Sequence, residues 1–215
     1  MKHIYPDQVD EPKLTRLIQE FIHSQHYPES SPCNIPDLPP LYEKITIHTS
    51  AVTTFHAPSD LSGIGGMKCE CNHAVGCWRK GLGCYNTLFI NTPHDDVDDN
   101  ASILGLEVAC THLFFSFTLD GVKYLCALVH WIYRTTDTLS DITGMHVVEP
   151  DCLPDGQPVT AVVHLNTVFR AAHLPPIFSD HPALSKHQHH EETLDLFLEF
   201  YVNRYIDCHV FEVVV

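Results

Sequence analysis

Residues 113 to 133 constrain the fold of this chain more than any other stretch. Leu113-Phe114-Phe115-Ser116-Phe117 leads into Asp120-Gly121, and Val122-Lys123-Tyr124 followed by Cys126-Ala127-Leu128-Val129-His130-Trp131-Ile132-Tyr133 leads away from it. β-Branched and aromatic side chains suit a pleated surface, and Asp-Gly supplies two residues that tolerate positive φ, so the stretch predicts one long β-hairpin. Met145-His146-Val147-Val148 reads as a third strand, and Ala161-Val162-Val163-His164-Leu165 as a fourth after the turn residues Pro154-Asp155-Gly156. These four predict a small antiparallel β-barrel.

The flanks make the expected fold α+β, the barrel standing between an N-terminal and a C-terminal helix. Leu14, Leu17, Ile18, Phe21 and Ile22 repeat on one helix face after the start signals Asp10-Glu11-Pro12, predicting a helix over about residues 12 to 25 that Pro28 ends. Pro32, Pro36, Pro39 and Pro40 mark a linker. Residues 41 to 56 read as strand broken near Ser50, residues 57 to 83 as loops, and Tyr85 to Ile90 as strand. Leu194, Phe197, Leu198, Tyr201 and Tyr205 predict a second amphipathic helix, and the apolar tail from Val210 a final strand. The expected organisation is helix and linker over 1–40, a β-rich domain over 41–180 with its barrel core at about 103–178, and helix and tail over 181–215.

Twelve Lys plus Arg against 27 Asp plus Glu give a formal charge of −15, which speaks against a direct grip on a nucleic-acid backbone and for a basic partner. No apolar run approaches the roughly 20 residues of a spanning helix, and the N-terminus lacks a signal-like apolar core, so no membrane role is expected. Nine scattered cysteines read as free thiols of a reducing compartment, nuclear or cytoplasmic.

Several motifs touch on metal or phosphate chemistry. Cys69-Glu70-Cys71-Asn72-His73, with Cys77 and Cys84, carries zinc-type donors, but one residue between Cys69 and Cys71 is too short for a ligating turn, so unligated loop thiols are expected. The run from Asp96 to Glu107 nearly spells a calcium loop, with Ala101 where a glycine should be and no flanking helices, and reads as a solvated acidic loop. Gly63-Ile64-Gly65-Gly66-Met67-Lys68 lacks both phosphate-loop and dinucleotide signatures and reads as a tight turn. His187-Gln188-His189-His190 and the separate His130, His146, His164 and His173 have no nucleophile or carboxylate set beside them. No hydrolase signature occurs, so no catalytic residues, cofactor or metal are expected.

The hairpin's aromatics suggest a binding surface. Trp131 and Tyr133 lie two residues apart and share a face, and with Tyr124 and Phe117 they are candidates for an aromatic wall that could hold a methylated ammonium. Asp95, Asp96, Asp98 and Asp99 form an acidic lure nearby in sequence.

Six segments carry a family resemblance: Arg16-Leu17-Ile18-Gln19-Glu20-Phe21, residues 57 to 67, Cys126-Ala127-Leu128-Val129-His130-Trp131, residues 143 to 151, Arg170-Ala171-Ala172-His173-Leu174 and Tyr201-Val202-Asn203-Arg204-Tyr205-Ile206-Asp207. In this order they resemble the C-terminal region of Plavaka-type transposase proteins of mushroom-forming fungi. The hairpin and residues 163 to 174 are similar, more loosely, to bromo-adjacent homology modules, which contact histones. The resemblance implies a detached accessory region rather than a transposase, and with the aromatic wall and the acidic charge the expectation is a non-enzymatic module that docks a basic protein partner such as a histone tail. The alternatives are a metal-dependent nuclease fragment using the acidic loop, and a relic without present function.

Overall fold

The computed structural model describes residues 2–6, 9, 13–27, 44–59, 64–77, 81, 83–92, 105–136, 138–178 and 197–214. Its centre is the predicted hairpin, longer than the sequence suggested: β7 (Leu106–Leu119) pairs with β8 (Val122–Arg134) from Val108 opposite Ile132 to Leu119 opposite Val122. Asp120 and Gly121 both have positive φ, 50° and 80°, which is the twist a two-residue hairpin turn needs to match its strands.

Alternation along these strands sorts the core. On β8, Cys126, Leu128 and Ile132 face one side while Ala127, Val129 and Trp131 face the other. On β7 the register shifts between Thr111 and Leu113, so that His112 is an extra residue. This bulge exchanges the parity of the strand: Val108 and Cys110 before it share a face with Leu113, Phe115 and Phe117 after it. Without the extra residue the three apolar residues beyond it would point to the opposite face.

Each long strand divides its outer edge between two partners. The first half of β7 pairs with β6 (Thr87–Asn91) and its second half with β2 (Ile45–His48), which in turn pairs with β1 (Lys2–Ile4). β8 pairs with β10 (Thr160–His164) and then β9 (Val147–Pro150), and β9 with β12 (Phe200–Tyr201). A 3-10 turn at Leu165–Thr167 leads from β10 into β11 (Val168–Ala172), which pairs with β6. The result is a nine-stranded antiparallel sheet.

The small barrel expected from the sequence does not form. No ladder joins the outer strands of this sheet among the described residues, so it is large and open. Closing a barrel requires the outer strands to pair with each other; here the outer edges of β7 and β8 are each shared out along their length, and the sheet spreads instead.

Three layers cover it. Helix α1 (Leu14–His26), where the periodicity placed it, lays Leu14, Ile18 and Phe21 on Ile45, Phe115, Phe117 and Leu128, each buried side chain contributing about 2 kcal/mol of apolar transfer. On the same face, Phe197, Phe200, Val202, Val210 and Val214 of the C-terminal segment pack on Val108, Ile132 and Val148. The opposite face receives a three-stranded sheet, β3 (Ser50–His56), β4 (Met67–Val75) and β5 (Cys84–Tyr85), whose Ala74 meets Leu88, Ala109 and Phe114.

Other expectations are corrected locally. Residues 67 to 75 are strand rather than loop, because β4 carries Lys68, Glu70 and Asn72 on its inner side and so lacks apolar alternation. The helix expected from 194 to 205 is replaced, from Phe197 on, by turns and the strand Phe200–Tyr201, while the apolar tail is helix α2 (Cys208–Val213), capped by Asp207 accepting from the Val210 amide at 2.8 Å. Gly65 and Gly66 make a tight turn between Ile64 and Met67 at the entry to β4, as expected of the glycine-rich loop, and a Cβ at Gly66 would come within 3.1 Å of the His56 ring. No helix among the described residues is long and apolar enough to cross a membrane.

Gly121→Ala should cost about 1–2 kcal/mol in urea denaturation, since a Cβ is forced into left-handed backbone there. The same substitution at a residue of ordinary φ in β7 should cost less.

Candidate functional site

The structure splits the four candidate aromatics. Phe117 and Tyr124 are opposite each other across the hairpin and stack at 5.1 Å beneath α1, where Phe21 meets Tyr124 edge-on at 6.1 Å. Phe117 is buried core. Trp131 and Tyr133 point to the other face at the far end of β8, Trp131 half-buried against the cluster that holds Ala109 and Val129, Tyr133 39% exposed. Asp95, Asp96, Asp98 and Asp99 lie outside the described residues.

Tyr133 stands at the head of a polar row. It lies directly opposite Glu149 on β9, and its hydroxyl donates to Glu149 Oε1. Phe200 lies opposite Val148, which brings the preceding residue, Glu199, opposite Glu149 on the same face. Burial and then the Glu199 charge push the Glu149 carboxyl above its ordinary range. Two carboxylates therefore share one strip of sheet beside an exposed phenol and a half-buried indole.

The second constellation was missed by sequence reasoning. A cleft of about 520 Å³ lies between the second sheet and α2, lined among others by Phe55, Glu70, Arg170, Asp207 and His209. Arg170, only 2% exposed on β11, donates from Nη1 to Asp207 Oδ1 at 3.1 Å and from Nη2 to Asp207 Oδ2 at 2.7 Å, a two-pronged pair. Nη2 also donates to Glu70 Oε1 at 2.5 Å, while Glu70 Oε2 accepts the Ala171 amide at 2.9 Å. The guanidinium rests 4.3 Å over the Phe55 ring, which stacks on His209 at 5.1 Å.

The protonation states follow. For Asp207, burial works to raise the pKa, but the Arg170 hydrogen bonds, the Val210 amide and the Arg170 charge together outweigh it and hold the carboxyl below its usual value. His209 is lowered by burial first and by Arg170 second, against the pull of Asp207, Glu212 and Glu70. Neutral His209 can then accept from Arg170 Nη1 at Nδ1, 3.2 Å away, which places its proton on Nε2. One guanidinium faces two carboxylates, so the network carries a net negative charge and fastens β4, β11 and the cap of α2 to one another. Nothing in the local sequence around Arg170, Glu70 and Asp207 hinted at it, because its partners lie 37 and 100 positions apart.

The remaining candidates are dispersed. His130 stacks on His112 at 3.4 Å, and burial, then the His112 charge, lower its pKa to about 4. His146 is buried with its pKa lowered by burial and then by Arg134 and Arg204, and His164 Nδ1 accepts the Asn166 amide at the 3-10 turn. Cys126 is buried, its thiol pushed up to about 12. Cys69, Cys71, Cys77, Cys152 and Cys208 are exposed free thiols. Among the described residues, no three His, Cys, Asp or Glu side chains stand grouped to hold an ion. No family model, curated protein or solved structure matches this chain.

Arg170→Ala should destabilise the fold by about 3 kcal/mol, the low end for a buried pair because Asp207 keeps part of its hydration. Arg170→Lys should recover only part of this, since an ammonium cannot bridge both carboxylates in plane. Stability should also fall with acid. His130 takes up its proton near 6.5 unfolded but near 4 when folded, so the unfolded chain binds more protons between those values and is favoured as pH drops through them. Urea midpoints of His130→Gln should show a shallower decline over that window than those of the parent.

Proposed function

We propose that this chain is a non-enzymatic interaction module that docks a basic segment of a protein partner, with a histone tail as the model ligand. The observation that carries the reading is the row Tyr133, Glu149, Glu199 beside Trp131: an aromatic face next to two carboxylates that repel each other. A lysine or methyl-lysine ammonium laid on Tyr133 would meet the ring's negative face and relieve the repulsion in one step. The chain's overall charge of −15 favours encounter with such a ligand from a distance.

The resemblance to the C-terminal region of Plavaka-type transposase proteins gives the module a setting, an accessory part of a transposon-derived protein in a reducing compartment. Phe117 and Tyr124, on the far face, contribute to the fold of the hairpin rather than to the contact. The acidic residues Asp95, Asp96, Asp98 and Asp99 contribute through net charge. The site takes no cofactor.

Calorimetric titration with unmodified and trimethyl-lysine histone-tail peptides tests the reading. Binding should weaken with salt, favour the methylated peptide, and fall roughly tenfold in Tyr133→Ala, the scale of one desolvated cation–π contact. Tyr133→Phe should retain most of the affinity and Glu149→Gln should lose part of it. Absence of heat at millimolar peptide, or affinity indifferent to Tyr133→Ala, would sink the proposal.

A further inference from the structure

Arg170 and Arg204 are the two arginines buried among the described residues, at 2% and 7% exposure, and their charges are handled differently. Arg170 is gripped by two carboxylates. Arg204 pairs with no carboxylate among the described residues, and its Nε is enclosed without a hydrogen-bond partner. Taking a guanidinium out of water is costly unless an anion answers it.

What holds Arg204 is aromatic. Its guanidinium carbon lies 4.5 Å from the centre of the Phe211 ring on α2 and 5.8 Å from that of Tyr205, so cation–π contact stands where an ion pair would. Stacking occupies a face of the planar group and leaves the N–H donors along its edge unspent. The surroundings are positive in a chain of net charge −15. Arg134 lies opposite Val148 and shares its face, the side of the sheet that carries the C-terminal segment. Burial first, then Arg134 and Arg204, lower the pKa of His146, so this imidazole is neutral, and its Nδ1 is a second enclosed atom without a partner. The His146 carbonyl accepts the Val202 amide at 2.9 Å, which ties it to the segment bearing Arg204.

The surface over this locus is apolar. Tyr205 and Phe211, with ring centres 5.8 Å apart, are each about half exposed. The Tyr205 hydroxyl donates to the Thr143 carbonyl at 3.2 Å, which brings the exposed Ile142 alongside. Gly144 makes room for this contact, since a Cβ there would stand 2.9 Å from the hydroxyl.

We propose that Arg204, with Ile142, Tyr205 and Phe211 around it, docks a protein partner's segment in which one carboxylate is flanked by apolar side chains. Charge selects the ligand: one guanidinium edge is left to answer and His146 adds no charge, so a single negative charge fits where a doubly charged phosphate would be under-matched. The carboxylate would accept from the Nη donors while its apolar neighbours cover the exposed rings. Alternation places Tyr133 and Glu149 on the opposite side of the sheet from Arg134 and Val148, so this site is separate from the basic-segment surface and takes a ligand of opposite charge.

Calorimetry of the full chain with the blocked peptide acetyl-Leu-Glu-Phe-Leu-amide, whose single charge is its carboxylate, tests this against the same peptide with Gln in place of Glu. The Glu peptide should bind and the Gln peptide should bind roughly tenfold more weakly, the scale of a hydrogen bond to a charged group. That comparison needs no variant. Arg204→Met should abolish the preference for Glu, Phe211→Ala at an exposed ring should weaken the Glu peptide severalfold, and Tyr133→Ala should leave it unchanged. The proposal is overturned by no heat at millimolar peptide, by equal binding of the two peptides, or by a preference that survives Arg204→Met. Affinity indifferent to Phe211→Ala, affinity lost in Tyr133→Ala, or displacement of the peptide by equimolar inorganic phosphate overturns it too.

Discussion

The ladder between β7 and β8 is the constraint from which the rest of the molecule takes its form. It joins two strands of 14 and 13 residues through a two-residue turn, and every other strand of the large sheet attaches directly or through one neighbour to one of its edges. The extra residue at His112 matters as much as the pairing. By exchanging the parity of β7 midway, it keeps one continuous apolar face beneath both α1 and the C-terminal segment, so two covering layers share a single sheet surface.

What could be read from the residues follows from how local each cue is. The Asp120-Gly121 turn, the repeat of Leu14, Ile18 and Phe21, and the runs at Val147 and Ala161 are local patterns, and the structure holds elements at each. Whether a sheet closes depends on which strands share an edge, and no local pattern encodes that β7 would divide its outer edge between β6 and β2. β4 stayed hidden because its inner side is polar: Asn72 is buried on a hydrogen bond to Thr53, and Glu70 is turned to Arg170. The 194–205 stretch has helical spacing, yet Phe200 pairs with Val148 and is buried, tertiary pairing overriding periodicity.

The two polar constellations differ in electrostatic state, and that difference separates their roles. Around Arg170 the guanidinium is answered by two carboxylates and a neutral imidazole, so little driving force remains for a ligand. Along Tyr133, Glu149 and Glu199 two carboxylates stand side by side, and burial and then the Glu199 charge raise the pKa of Glu149. Sequence reasoning found the aromatic half of this row through the alternation of Trp131 and Tyr133. The acidic half, Glu149 and Glu199, lies 16 or more positions from Tyr133, and only the register brings it alongside.

Arg170 is held by Glu70 from the second sheet and by Asp207 from the cap of α2. One side chain therefore anchors two separate layers: release of either carboxylate strips a residue only 2% exposed of part of its hydrogen bonding, though the other carboxylate still balances its charge. The second sheet and the C-terminal helix should thus open as one cooperative unit, slower to exchange their amides than their small size would allow each alone.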